Sequence, residues 1–184
     1  AGAPPSIKFA LGENVKESNR PSPSTRYPQT RMGVEQLLID AFAQAADYAA
    51  QDPRTRRREL RLDALAELLA GTRSIHVHSY RADEILMFAG LARELKLKVA
   101  AFQHVLEGYK VAGTIAALGA GASTFSDWWG FKAESADAVV GNAGMLAQAG
   151  VLTSLNSDDA ELARRLNAEA ANALRDGRLS PEQA

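Results

Sequence analysis

The chain contains three histidines, and each of them lies within or at the end of a predicted strand. His76 and His78 are two residues apart in the predicted strand 74–78, and the two-residue period of a strand directs both imidazoles to the same face. His104 ends the next predicted strand, 98–104. The pattern leaves two interpretations open, a shared metal site or three rim histidines with ordinary hydrogen bonds.

Two carboxylates occupy equivalent places along the chain. Glu13 follows the first predicted strand, and Asp158 follows the last. The carboxyl ends of parallel strands lie on one rim of a sheet, so these carboxylates are expected to meet His78 and His104 there. Imidazole and carboxylate ligands, in a chain without cysteine, suit zinc or a similar divalent ion. The expected chemistry is hydrolysis by a metal-activated water, with Asp158 transferring the proton to the leaving nitrogen.

Polar residues in the loops after the two histidine strands are candidates for substrate contact. Tyr80 and Arg81 come directly after the strand that ends at His78. Lys110 lies in the loop after the following strand. Loops at the carboxyl ends of strands hold substrate-contacting residues in barrel enzymes, so these three side chains are predicted to contact substrate or to support the site.

Predicted strands and helices alternate along the chain. The five predicted strands are 7–12, 74–78, 98–104, 121–126 and 151–156. The six predicted helices are 34–46, 60–69, 82–95, 111–118, 133–149 and 160–175. Alternation of this kind is typical of right-handed crossover units and a parallel sheet, so the predicted fold class is α/β.

Two architectures share this alternation, the doubly wound open sheet and the eight-stranded barrel. Five strands are too few to close an eight-stranded barrel, which usually needs about 250 residues. If the fold is a barrel, the 184 residues of this chain therefore form only a part of one.

Composition and charge exclude several functional classes. With 46% hydrophobic and 23% charged residues, the chain is predicted to fold as one domain with its own core. A net charge of −1 predicts no nucleic-acid partner. No apolar run reaches the roughly 18 residues that span a bilayer, which predicts a soluble chain without a membrane partner and leaves its compartment open. The sequence has no glycine-rich phosphate loop and no Gly-x-Ser-x-Gly motif, so nucleotide-dependent enzymes and serine hydrolases are not expected.

Six segments, taken together and in this order, carry a resemblance to a known family. They are Ala10-Leu11-Gly12-Glu13-Asn14-Val15-Lys16, Pro28-Gln29-Thr30-Arg31-Met32-Gly33, His76-Val77-His78-Ser79-Tyr80-Arg81-Ala82-Asp83-Glu84-Ile85, Gln103-His104-Val105-Leu106-Glu107-Gly108-Tyr109-Lys110, Asp127-Trp128-Trp129 and Asn156-Ser157-Asp158. Over essentially its whole length the chain resembles the amidohydrolase superfamily. More narrowly, it resembles the imidazolonepropionase-related amidohydrolases, which are metal-dependent hydrolases of carbon–nitrogen bonds.

The resemblance implies a (β/α)8 TIM-type barrel with metal ligands at the ends of its strands. By motif, Glu13 corresponds to the ligand on strand four. His78 and His104 correspond to the histidines of strands five and six. Asp158 corresponds to the ligand and acid/base group of strand eight, and His76 would support the site by orienting a ligand or a substrate group. The implied cofactor is a divalent metal, with zinc expected, and the implied substrates are amides, cyclic amides or peptide-like molecules.

This assignment places the chain at strands four to eight of the barrel. The segment His76-Val77-His78 does not suit the family's strand-one pair, because the Glu13 motif would then precede strand one. We therefore expect residues 1–184 to form a partial barrel domain, with strands one to three outside it and 13–31 as a long loop on the active-site side. Such a part of a barrel is expected to associate with the missing half or with a second copy of the chain. The alternative is a noncatalytic α/β binding or assembly module derived from such a barrel.

Overall fold

The computed structural model describes residues 2–16, 25–126, 130–175 and 179–182. Its strands are β1 (Ser6–Ala10), β2 (Ser74–Ser79), β3 (Val99–His104), β4 (Gly121–Thr124) and β5 (Thr153–Leu155). Its α-helices are α1 (Glu13–Lys16), α2 (Arg31–Ala50), α3 (Leu60–Leu69), α4 (Ala82–Glu94), α5 (Ala112–Ala117), α6 (Asn142–Gln148) and α7 (Leu166–Arg175). Within the described ranges, no helix combines the length and the apolar character needed to cross a bilayer.

The strands form one parallel sheet in the order β1-β2-β3-β4-β5. A doubly wound sheet reverses its strand order at a switch point, whereas a barrel adds each strand beside the one before it. The order observed here has no reversal. The predicted α/β class is confirmed, and the strand order is that of part of a TIM-type barrel.

The two faces of the sheet have opposite character. Phe9, Val77 and Phe102 are register neighbours across β1, β2 and β3, and they belong to the apolar core that the helices share. On the other face, Lys8 pairs in register with His76, and the first is exposed while the second is half-buried. Successive side chains of a strand alternate between faces, so this polar face is the one that carries the histidines of β2.

The chain between β1 and α2 differs in part from the predicted loop 13–31. Its first residues form α1, and 17–24 lie outside the described residues. Helix α2 begins at Arg31, earlier than the predicted start at 34, because Thr30 Oγ1 accepts a hydrogen bond from the Gly33 N–H at 3.0 Å and caps the first turn.

The predicted helix 133–149 is wrong in its first half. The structure has a 3-10 turn at Ala133–Ser135 and regular helix only in α6. Glu134 is drawn into buried ion pairs instead of continuing a helix. Asn142, the first residue of α6, donates a side-chain hydrogen bond to the Val105 carbonyl oxygen at 2.8 Å, which fixes where that helix starts.

The predicted helix 160–175 is likewise shorter than expected. A 3-10 turn at Leu162–Arg165 precedes α7. Asp159 Oδ1 accepts hydrogen bonds from the backbone N–H groups of Glu161 and Leu162, at 2.8 and 2.9 Å. This carboxylate satisfies the first donors of the segment and favours a tight opening turn over an α-helical one.

The aromatic core beneath the sheet generates a stability prediction. Phe88 on α4 is fully buried and lies edge-on to both Phe9 and Phe102, with ring centroids 6.0 and 6.2 Å away. We expect Phe88→Ala to lower the free energy of unfolding by about 3–5 kcal/mol, because it leaves a cavity among rings that cannot close on it. The control is Leu86→Ala on the same helix, where the side chain is 48% exposed and the expected change is within about 0.5 kcal/mol. Urea unfolding measures both, and equal effects of the two substitutions would contradict the described core.

Candidate functional site

Two of the three histidines lie side by side at the carboxyl end of the sheet. The rings of His78 and His104 have centroids 4.6 Å apart and planes inclined at 72°. The two residues are only 6% and 4% exposed. They meet because β2 and β3 pair in parallel and end at the same rim.

The position of His104 depends on its backbone as well as on its strand. In a regular strand Gln103, the register partner of His78, would share the histidine face, and His104 would point to the helix side like Phe102. His104 instead has φ +74°, and the next residue, Val105, has φ +37°. Left-handed conformations of non-glycine residues cost on the order of 1–3 kcal/mol and are concentrated at functional sites. Here the turn of the chain places the His104 ring against His78.

Aromatic side chains surround the two imidazoles. Tyr80 lies nearly parallel to His104, with centroids 5.3 Å apart and planes at 12°, and edge-on to His78 at 5.0 Å. The ring of Phe125, which comes directly after β4, has its centroid 5.6 Å from that of the His104 ring. Tyr80 and Phe125 are almost fully buried and form a small cluster with Leu106. The imidazoles therefore stand in apolar surroundings.

These surroundings keep both histidines neutral. Burial, with smaller contributions from the adjacent His104 and from Lys132, lowers the pKa of His78 to about 4. Burial also lowers the pKa of His104, although the nearby Asp158 carboxylate opposes that shift. Neutral imidazole is the form that binds metals and accepts protons.

His104 also has unsatisfied polar atoms. Both of its ring nitrogens are buried, and neither has a hydrogen-bond partner in the part of the chain that the structure describes. Asp158 Oδ2 lies 3.9 Å from His104 Nδ1, and the Asp158 side chain is 50% exposed at a residue with φ +48°. Buried polar atoms without partners are uncommon in proteins. The two nitrogens are thus available to a metal ion or to a proton donor.

Asn14 is a contact of the site that the sequence analysis did not predict. Its Nδ2 lies 3.2 Å from His78 Nε2. With the amide donating, His78 Nε2 accepts, and the ring carries its proton on Nδ1. Asn14 stands directly after Glu13 in the segment that follows β1, so its place at a strand end was the only signal in the sequence.

The chemistry of these donors fits a divalent metal, but their number does not complete a ligand set. His104 has open nitrogens next to a carboxylate, while Nε2 of His78 is engaged by Asn14. Glu13 is half-buried at the start of α1, and its backbone N–H donates to Glu134 at 3.0 Å. Among residues 2–16, 25–126, 130–175 and 179–182, no three histidine, aspartate or glutamate side chains are grouped so that they could hold a metal ion. The four-ligand site remains a prediction.

The other predicted site residues lie in different environments. His76 is half-buried on the polar face, with its Nδ1 3.4 Å from Gln103 Nε2. Arg81 pairs with Asp83, two residues further along the chain, at 3.0 Å. The structure thus brings neither side chain into contact with the histidine pair.

Lys110 is held by two carboxylates away from the histidines. Its Nζ lies 2.5 Å from Asp137 and 3.3 Å from Glu107. The segment 127–129, one of the six that carry the family resemblance, lies outside the described residues. Of the residues proposed to support the site, Tyr80 is the one that contacts the histidine rings.

A buried ion network beside the histidines was also missed. Glu84 and Glu134 are 3% and 1% exposed. Arg31 Nε lies 2.5 Å from Glu84 Oε1, and Lys132 Nζ lies 2.6 Å from Glu134 Oε1. The Lys132 ammonium also stands 3.9 Å above the centre of the Tyr80 ring. Lys132 and Glu134 are two residues apart, but Arg31 and Glu84 are distant from them and from each other in the sequence. Only the folded chain therefore brings the two cations and the two carboxylates together.

Comparison with solved structures relates the fold to a known enzyme class. The chain superposes on an amidohydrolase from Thermotoga maritima with a TM-score of 0.85 and 25% sequence identity, covering 100% of this chain and 49% of that one. The fold is amidohydrolase-like. The chain spans about half the length of the Thermotoga amidohydrolase. No protein-family model and no curated protein matches the chain.

The lowered pKa of His78 generates a prediction about stability and pH. The folded value is about 4, below the ordinary value of 6.5, so between these pH values the unfolded chain takes up a proton that the folded chain excludes. The free energy of unfolding is therefore expected to fall as the pH is lowered from 6.5 to 4, by about 3 kcal/mol for His78 alone.

Urea unfolding at several pH values measures this decrease, and His78→Asn should show a smaller one than the wild-type chain. NMR titration of the His78 ring carbon gives the midpoint directly. A midpoint near 6.5 would contradict the buried environment described here.

Proposed function

We propose that this chain is the later part of a metal-dependent amidohydrolase barrel that hydrolyses carbon–nitrogen bonds in amides, cyclic amides or peptide-like molecules. One observation carries the proposal. The buried, neutral imidazole rings of His78 and His104 have centroids 4.6 Å apart at the strand ends of an amidohydrolase-like sheet. The Asp158 carboxylate lies beside His104. Active sites of barrel enzymes lie at this end of the strands.

We further propose that the chain supplies strands four to eight of an imidazolonepropionase-related barrel. Five parallel strands in barrel order, and a match to 49% of the Thermotoga amidohydrolase, support this assignment. The remaining three strands would then bring the ligands that complete the site. In this proposal Glu13 is the ligand from the first strand of the chain, and His76 supports the site from the polar face.

The residues of the site have distinct roles in this proposal. His78 and His104 would bind a divalent ion, zinc by preference, through neutral imidazole nitrogens. When bound, such an ion polarises the scissile carbonyl and activates water. Asp158, half exposed and 3.9 Å from His104 Nδ1, would hold the proton of the attacking water and release it to the leaving nitrogen.

Tyr80 is placed to contact the substrate. Burial raises the pKa of its phenol, although Lys132 opposes this shift, so the hydroxyl keeps its proton near neutral pH. A protonated phenol beside the histidine pair can donate a hydrogen bond to a substrate carbonyl. Arg81 and Lys110, which are engaged by carboxylates of their own loops, would reach a substrate only if those ion pairs opened.

A second candidate function is a noncatalytic binding or assembly module derived from such a barrel. The Asn14 hydrogen bond to His78 favours it, because that contact occupies the nitrogen that a metal would need. In this alternative the rim histidines contact a ligand instead of a metal ion.

The proposed function also implies protein partners. Strands β1 and β5 stand at the two edges of the sheet, where unpaired backbone groups favour pairing with another chain. The missing part of the barrel or a second copy of this chain would cover them.

Catalysis is tested in the complete barrel, where this segment is joined to the three strands that the proposal requires. Asp158→Asn is expected to lower kcat on a panel of cyclic amides and dipeptides by about 10²–10⁴-fold, because the proton transfer is lost. His104→Ala should lower both the bound zinc and the rate. Asp47→Asn on the exposed surface of α2 is the control and should leave the rate unchanged. Full hydrolysis by both site variants would refute the assigned roles.

Metal binding is tested separately on the 184-residue chain. Since the described residues do not group three ligands, the chain alone is expected to bind zinc weakly, at micromolar concentrations or above, and His104→Ala should weaken binding further. Competition with a chromophoric chelator measures the affinity. Tight, stoichiometric zinc in the isolated chain would show that its own residues complete a site.

A further inference from the structure

Two buried carboxylates meet the backbone directly after β1. Gly12 has φ +79°, and a Cβ atom at this position would lie 2.6 Å from Glu134 Oε2 and 3.1 Å from Glu84 Oε1. Only glycine satisfies both the left-handed backbone and this close approach. The turn between β1 and Asn14 therefore packs directly against the carboxylate oxygens of Glu134 and Glu84.

Glu134 uses its two oxygens in different directions. Oε2 accepts a hydrogen bond from the Glu13 backbone N–H at 3.0 Å, and Oε1 pairs with Lys132 Nζ at 2.6 Å. Arg31 lies 3.7 Å from Oε2. The Glu134 side chain has no exposed surface, so these contacts must compensate the cost of burying its charge and they hold it in one place.

Each oxygen of Glu134 is connected through a short series of contacts to a different histidine of the site. On the Oε2 side, Glu13 is followed by Asn14, whose amide lies 3.2 Å from His78 Nε2. On the Oε1 side, Lys132 stands over the ring of Tyr80, which stacks on His104. No other carboxylate in the described part of the chain is shown to contact both the turn after β1 and Lys132.

We propose that Glu134 is a positioning residue of the candidate site, which holds the turn after β1 so that Asn14 orients His78. The proton of the His78 ring is kept on Nδ1 as a result, and Nε2 faces Asn14. Its importance for hydrolysis rests on the proposed function, in which the Nε2 lone pair that accepts from Asn14 would exchange this hydrogen bond for the metal ion, but the orientation itself does not depend on that function. A purely structural ion network would stabilise the fold without acting on His78.

The test measures two signals by NMR on the 184-residue chain. The first is hydrogen exchange of the Glu13 amide, which reports its bond to Glu134. The second is the pair of ring ¹⁵N shifts of His78, which report where the ring proton lies. Neither signal requires zinc or substrate. This proposal can therefore fail while the proposed function stands, and the proposed function can fail while this proposal stands.

Four variants distinguish the outcomes. Glu134→Ala should speed exchange of the Glu13 amide about tenfold over the wild type, with core amides as the internal standard. It should also shift the His78 ring toward a mixture of tautomers. Glu134→Gln, which keeps an acceptor oxygen, should retain most of the protection and the wild-type tautomer. Glu134→Asp keeps the buried charge but shortens its reach, so it should act in the same direction as alanine and replaces it if that variant does not fold. Asn14→Ala should change the His78 tautomer while Glu13 remains protected.

The matched control is Glu169→Gln. Glu169 is also buried, at 3% exposure, and accepts a backbone hydrogen bond from Ser126 at 2.6 Å, but it has no shown contact with the turn after β1. Its substitution should leave the Glu13 amide and the His78 ring unchanged. The proposal is overturned if neither Glu134→Ala nor Glu134→Asp changes the His78 tautomer, if Asn14→Ala leaves it as in the wild type, or if Glu169→Gln changes it equally.

Discussion

The strands pair in parallel and in chain order, and this pairing determines where the residues of the candidate site lie. Each strand lies beside the one before it, so the loops after all of them emerge at one rim. That rim holds Asn14 from the segment after β1, His78 from the end of β2 and Tyr80 just after it. It also holds His104 from the end of β3 and Asp158 from the segment after β5. Residues distant in the chain become neighbours there because the parallel sheet brings its strand ends together, while helices cover the apolar face of that sheet.

Burial acts on this rim in two ways. Removal of water favours uncharged imidazoles, which lowers the pKa of His78 and of His104. The same lack of water makes an unpaired carboxylate costly, so Glu84 and Glu134 are each paired with a cation. The two effects are linked in space, since Lys132 both compensates Glu134 and lies over Tyr80, the ring that stacks on His104. The neutral histidines and the charged network therefore belong to one structural unit.

Much of the fold could be predicted from local patterns. The positions of all five strands and the α/β class follow from alternating apolar segments, and the strand-end rule places His78 and His104 at one rim. The predicted helix 133–149 failed because Glu134 is drawn into contacts with Arg31 and with the Glu13 backbone N–H, both distant in the chain, which no helical periodicity records. The role of Asn14 was missed for a similar reason, since its partner lies on a different strand.

Which residue types reach the rim, and that the sheet is parallel, can be inferred from the linear chain, because both depend on periodicity and on the order of elements. How those residues face one another depends on the folded backbone. Strict alternation would have turned His104 toward the helices, and a left-handed φ of +74° brings it to His78 instead. The neutral state of the imidazoles and the pairing of Glu134 are likewise tertiary properties. They arise from the low polarity and the close contacts of a folded interior, which have no counterpart in the linear chain.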